Sequence, residues 1–334
     1  MLLLPGSLPA DRATLKALCV RLNAPANIVA WLNTASVEQF SGSWSDAERE
    51  ALGLTGDLCD GQALAPTTPP VTKKYAVATP LHAALGLTDL TPLDPTLIAL
   101  SDHESLALCQ SSDQHLSADG VRLSFIDANT WLVILDNDIS VLTERPDWLI
   151  GEPLRPSLPR GKDARLVERW MNELQMLLFA HPVNAAREER GLPQINVVWL
   201  WGFGARPTTG EPAGLPPLPL AGEGWGEGGS SISKVAGSSH LLALTPSPSA
   251  ARGRGVYVPL DFVTALRNGN VPTWQGAWQL LSSEILSADS IILGDSRPRL
   301  RLTPRKPSIA SKVTALFQRK PTLEAALNQL QQQL

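Results

Sequence analysis

Leu166, Trp170, Leu174 and Leu177, then His181-Pro182-Val183-Asn184, then Ile195-Asn196-Val197-Val198-Trp199-Leu200-Trp201-Gly202 form the stretch that decides the fold. The four apolar positions fall at i, i+4, i+8 and i+11, one face of a 3.6-residue period, and predict a helix over 163–180. Pro182 pushes His181 away from α geometry, so that helix is expected to stop there. Arg187 to Arg190 reads as a short turn before Gly191. The run 195–201 is apolar and bounded by Pro193 and Gly202, the pattern of a buried strand. Helix, short connection, buried strand and glycine turn make an α/β rhythm.

Upstream, Val121 to Phe125 alternates and Thr130 to Leu135 is rich in β-formers, with Asp127-Ala128-Asn129 between them. That is a hairpin signal. His103 to Leu108 reads as a helix capped by Asp102 or Ser101. Residues 10–65 read as short helices. Leu15, Leu18, Cys19 and Leu22 make one stripe, and Ser45 or Asp46 caps another helix. Ala65-Pro66-Thr67-Thr68-Pro69-Pro70 is a linker signal. Downstream, Val256-Tyr257-Val258 and Ser290 to Leu293 read as strands, with a helix bearing Trp274, Trp278 and Leu281 between them. Arg299-Leu300-Arg301-Leu302-Thr303 alternates and suggests an edge strand with its arginines outward. Thr322 to Leu334 reads as an amphipathic helix. Trp170, Trp199, Trp201, Trp274 and Trp278 fall on apolar faces and are expected in the core.

Residues 208–254 differ in kind. Nine Gly and six Pro fall in this stretch without periodicity, which reads as loop or disorder. Gly222-Glu223-Gly224 and Gly226-Glu227-Gly228 are encoded as GGN-GAR-GGN, whose reverse complement, shifted one frame, reads Pro-Ser-Pro. Pro246-Ser247-Pro248-Ser249 stands downstream, so the segment looks like the two arms of a translated inverted DNA repeat. Leu218 to Gly228 resembles repeat-derived peptide of bacterial proteins. A phosphate loop is not expected there, because no strand precedes it and no helix follows it.

The expected class is therefore α/β: a mixed sheet with flanking helices, a helical N-terminal region and a long disordered insertion. The expected divisions are 1–65 helical, 71–207 the first part of the α/β core, 208–254 the insertion, 255–310 the second part, and 311–334 the C-terminal helix. The 334 residues suffice for a sizeable core. Cys19, Cys59 and Cys109 form no close pair, which argues against a disulfide scaffold or a cysteine zinc site and for reduced thiols in the cytoplasm. Met1 to Leu4 is apolar but breaks at Pro5, too short for a membrane span. Net charge is −4. From Gly255 on, nine Lys and Arg stand against five acids. The basic stretch Arg297 to Lys320 reads as a solvated surface, and with no nucleic-acid motif beside it a nucleic-acid partner is not expected.

Asn172-Glu173-Leu174-Gln175-Met176-Leu177-Leu178, His181-Pro182-Val183-Asn184 and Trp199-Leu200-Trp201-Gly202 together resemble a proteobacterial family labelled phosphoglycerate mutase or RpfE-type regulatory protein. The resemblance spans most of 75–205 and, more weakly, 255–325. Residues 181–207 are similar to a segment of archaeal-type cofactor-independent phosphoglycerate mutases, members of the alkaline-phosphatase superfamily. That resemblance implies two divalent metals, a Ser or Thr nucleophile, and several Asp and His ligands in motifs such as Asp-x-x-Gly-His. The chain carries only His82, His103, His115, His181 and His240, and no Asp-Glu-x-Gly-His pattern. Asp119-Gly120 reads as a turn before a strand, and Asp102-His103-Glu104 as acids favoured at a helix N-terminus.

No catalytic residue, metal or cofactor is therefore assigned. The expected function is a degenerate mutase-like protein acting by binding or regulation, with a phosphorylated small molecule or a protein as partner. The alternative is an active cofactor-independent mutase or metal-dependent phosphohydrolase using Asp102, His103, Asp119 and His181. The candidate ligand site comprises His181, Asn184, Arg187, Arg190, Asn196, Gly202, Gly204 and Arg206, at the C-terminal end of the buried strand, where open α/β sheets place ligands. Arginine with backbone N–H groups suits phosphate. A competing reading has Arg187 and Arg190 solvate a helix end and pair with Glu188 and Glu189, while Asn184 and Asn196 satisfy backbone groups.

Overall fold

The computed structural model describes residues 1–20, 25–58, 60–64, 73–86, 89–204, 261–267, 269–295, 299–305 and 322–334. The linker 65–70, the insertion 208–254, the strand expected at 256–258, Arg206 and most of the basic stretch lie outside them. The strands are β1 Leu2–Pro5, β2 Ser36–Phe40, β3 Lys74–Leu81, β4 Ala83–Leu85, β5 Leu90–Pro92, β6 Val121–Asp127, β7 Thr130–Leu135, β8 Val197–Trp201, β9 Ile291–Gly294 and β10 Arg299–Thr303. The helices are α1 Arg12–Leu18, α2 Ala26–Thr34, α3 Trp44–Leu52, α4 Asp60–Leu64, α5 Pro95–Ile98, α6 Asp102–Leu116, α7 Ala164–Phe179, α8 Pro182–Glu189, α9 Asp261–Arg267, α10 Val271–Leu280, α11 Ser282–Ser287 and α12 Leu323–Gln331. The chain divides into two compact units, 1–52 with 247–334, and 53–246.

The first unit holds a mixed sheet in the order β1-β9-β10-β2, with β1 parallel to β9 and the other pairs antiparallel. The apolar start of the chain is β1, buried along its whole length. The N-terminal region thus carries two strands besides its expected helices, because both find partners far along the chain, β1 at Ile291 to Gly294 and β2 at Arg299 to Thr303, that no local pattern announces. Phe262, Trp274 and Trp278 meet edge to face at 5.0–6.0 Å and anchor this core. Helix α3 starts at Trp44, with its cap at Ser43 rather than at the expected Ser45 or Asp46. Ser43 Oγ accepts from the Asp46 N–H at 2.9 Å while Asp46 accepts from the Ser43 N–H, a reciprocal cap.

The edge-strand reading of 299–303 is corrected. β10 is internal, between β9 and β2. Arg299 is buried, its guanidinium 4.6 Å from the Trp44 ring and donating to the Gly42 carbonyl. Arg301 lies 4.9 Å from the Phe40 ring. Cation–aromatic contact lets the arginines sit on an inner strand.

The second unit holds an antiparallel sheet in the order β6-β7-β3-β8, with β4 and β5 as a separate hairpin. The expected hairpin is β6–β7, and Asp127 closes its turn on the Asn129 N–H. Asp113 of α6 accepts from the Leu123 N–H at 2.7 Å and takes Arg122 in a two-point pair, which protects the β6 edge. Helix α7 lays Val167, Trp170, Met171, Leu174 and Leu178 against the core, with Leu166 and Leu177 of the expected stripe half-buried at its edge, and β8 is buried at all five positions. All five tryptophans assigned to the core are buried. The helix at 103–108 runs on to Leu116, since Cys109, Ser112 and Leu116 continue its buried face.

Candidate functional site

The segment α7–α8–β8 carries most of the candidate residues. The turn expected after Pro182 is instead helix α8. Proline stops α7 but is well tolerated at the first position of a new helix, and His181, in extended geometry, caps it. The imidazole Nδ1 accepts from the Val183 N–H at 3.2 Å, and Nε2 lies 2.9 Å from Ser111 Oγ on α6. Burial lowers the His181 pKa below its ordinary value.

One turn on, Asn184 is 1% exposed. Its amide donates to the Leu178 and Ile195 carbonyls at 2.8 and 2.7 Å, and its oxygen accepts from the Ile195 N–H at 2.8 Å. It therefore ties the end of α7 to the entry of β8. Asn196 does the same at the β3–β4 junction, bonding both the N–H and the carbonyl of Ala83.

Arg187 is 0% exposed. Its Nε donates to the Pro193 carbonyl at 2.9 Å, its Nη2 to the Ile98 carbonyl at 2.5 Å and its Nη1 to Glu104 at 2.9 Å. Arg190 pairs with the other oxygen of Glu104 and is half-exposed. The arginines thus converge on Glu104 of α6 rather than on Glu188 and Glu189. Burial raises the Glu104 pKa, but hydrogen bonds from Ser101 and Arg190 and the charge of Arg187 outweigh it and hold the carboxyl at about 2. Glu104 also completes a capping box with Ser101. Sequence reading missed Glu104 as the partner. Its Ser-x-x-Glu spacing marks a cap, but nothing local marks the arginine 83 residues away.

The glycine turn after β8 lies at a different place in the unit. Gly202 has φ +70°, and its N–H donates to Thr143 Oγ1 at 3.0 Å. Asp57 receives the N–H groups of Thr143 and Phe203 at 3.0 and 3.1 Å and the Thr143 hydroxyl. A carboxylate of the chain itself occupies these donors. A Cβ at Gly204 would stand 1.9 Å from the Asp57 carbonyl oxygen, so only glycine fits. Asp57 and Thr143 carry no motif that would have flagged them.

The alternative metal set does not assemble. Asp102 opens α6, and Asp119 lies beyond its other end. At 1.5 Å per residue the 15-residue helix separates them by roughly 20 Å, whereas ligands of one ion lie within about 2–2.6 Å of it. Asp119 pairs with Arg169 at 2.9 Å, and both ring nitrogens of His181 are engaged. Among the described residues no three His, Cys, Asp or Glu are grouped to hold a metal ion. These residues do not fit the two-metal centre that the resemblance implies. A hollow of about 190 Å³ is lined by Asp119, Asp136, Asp138, Asp163, Leu166 and Trp170 among others; no Lys or Arg lines it, and the nearby cations are already paired with Asp119, Asp136 and Asp138, so it offers a phosphate no free cation among the described residues. No described helix is long and apolar enough to cross a membrane.

No family model matches the chain. It is similar to curated 2,3-bisphosphoglycerate-independent phosphoglycerate mutases. The protein of Methanosarcina mazei is 31% identical over 110 residues, 32% of this chain and 28% of that one. The protein of Methanothrix thermoacetophila is 41% identical over 63 residues, 19% of this chain and 16% of that one. The chain thus matches less than a third of the length of these relatives. Superposition on the cofactor-independent phosphoglycerate mutase of Thermoplasma acidophilum covers 100% of this chain and 98% of that one at 14% identity, with a TM-score of 0.35.

Proposed function

We propose that this chain is a non-catalytic relative of the cofactor-independent phosphoglycerate mutases that binds a phosphorylated small molecule and acts by regulation. One observation carries the first half: the polar side chains of the mutase-like segment are occupied by the fold. His181 caps a helix, Asn184 and Asn196 close strand ends, and Arg187 is buried against the Pro193 and Ile98 carbonyls and Glu104. Such groups hold a framework and leave no nucleophile–base–metal arrangement for phosphoryl transfer. The binding half rests on the curated similarity to enzymes named for phosphoglycerate. Arg190, half-exposed beside its pair with Glu104, is the described cation of the candidate set that an anion in solvent could reach. A protein partner, a bacterial cytoplasmic setting and kinship with RpfE-type regulators belong to the same proposal.

Calorimetric titration of the whole chain with 3-phosphoglycerate tests it, with inorganic phosphate and sulfate as controls. Saturable heat with the phosphoglycerate left chemically unchanged is expected. No heat with any phosphorylated compound overturns the binding half, and conversion to 2-phosphoglycerate overturns the non-catalytic half.

A further inference from the structure

We propose that His181 is a pH-sensitive pin: neutral, it caps α8 and joins it to α6, and its protonation releases the cap and loosens α8. The tautomer follows from the partners. The Val183 N–H can only donate, so Nδ1 must carry the lone pair and Nε2 the proton, which points at Ser111 Oγ. Uptake of one proton from solvent at Nδ1 sets two N–H groups against each other and ends the bond to Val183. The Nε2–H contact with Ser111 survives. The new positive charge also sits at the N-terminus of an eight-residue helix, where the backbone N–H groups disfavour cations.

Among the described residues, the charged groups of the neighbouring elements are engaged elsewhere or stand further off. On α6, Glu104 is held by Arg187 and Arg190, Asp113 by Arg122, and His115 faces Glu173 at 3.5 Å. Asp102 and His103 lie about two turns away along that helix, and Cys109 is buried with its thiol pushed up to about 12. On α7, Glu173 also meets Arg169, which reaches Asp119, while Arg165 and Glu168 stand toward its far end. On α8 itself, Glu188 accepts from Gln194, Glu189 is exposed, and Arg187 is engaged as described. β8 carries no charge. Among the described residues His181 makes no ion pair. The lowered His181 pKa agrees in direction. A depressed histidine favours the folded state in full above its unfolded pKa of about 6.5 and loses that contribution as pH falls toward the folded value.

The test uses the whole chain, its H181N variant and its S111A variant. Imidazole titration by NMR is combined with amide-exchange protection factors at Val183, Asn184 and Ala185 between pH 8 and pH 5. Asparagine caps helices without titrating. In the wild type, Val183 protection should fall roughly fivefold as His181 takes up its proton, at a midpoint below about 6.5. H181N should hold its protection across the range, and S111A should keep the wild-type pH response. An equal fall in H181N, or a midpoint at or above 6.5, overturns the proposal. Should H181N not fold, the wild-type titration decides alone: protonation that leaves Val183 protected overturns it.

Discussion

Arg187 shows how burial changes the meaning of a residue. Read along the sequence, an arginine between Ala186 and Glu188 on a short polar turn is a surface group. In the fold its guanidinium is enclosed, and it satisfies the carbonyls of Ile98 and Pro193 as well as Glu104. Truncation to Ala is expected to cost about 3 kcal/mol, because three acceptors lose their donor inside the protein. Arg190→Ala, half-exposed, should cost less than ~1 kcal/mol. Denaturant unfolding separates them, and equal effects would contradict the assignment. Glu104 supplies a pH dependence. Its folded pKa of about 2 lies below the ordinary 4.5, so its contribution is complete above 4.5 and is lost as pH falls from 4.5 toward 2. Glu104→Gln should flatten the acid limb of the stability curve over that window. Asn184, Arg187 and Asn196 were legible as unusual, but their partners were not. Polar side chains that bind a ligand and those that bind the chain's own carbonyls look alike until the carbonyls are placed.

At the level of elements, periodicity is the more faithful guide. The α7 stripe and the β8 apolar run were readable because burial on one face or both leaves a direct pattern in the residues. α8 was hidden because proline is both a terminator and a favoured first helical residue. β10 was misread as an edge because alternating arginines look solvated, and the Trp44 and Phe40 rings that accept them are some 260 residues away. Close approach of elements was equally silent. Gly61 lets α4 lie on β3, and a Cβ there would come within 2.3 Å of the Ala76 Cα. Backbone cannot yield as a side-chain tip does. Gly61→Ala is therefore expected to lower stability by ~2 kcal/mol or more. A melting temperature matching the wild type would show that α4 can shift without loss.

For the whole molecule, the two units group the first 52 residues with the C-terminal part of the chain, and residues 208–254 fall between β8 and α9 in the sequence. Their Gly- and Pro-rich composition offers no periodic apolar face. Loop-closure entropy changes by only about 0.6 kcal/mol per doubling of length. Deleting Thr209 to Arg252 should therefore leave the calorimetric transitions of the chain within a few degrees of the original, and a soluble variant with a much lower transition would show that the stretch is integrated. In the proposed reading, a segment similar to phosphoglycerate mutases is kept here as framework, without the reaction. The most direct measurement is phosphoglycerate interconversion by the purified chain with manganese, magnesium or zinc supplied in excess. A rate indistinguishable from buffer is expected with each metal. Turnover that appears on adding metal and disappears on chelation would contradict it.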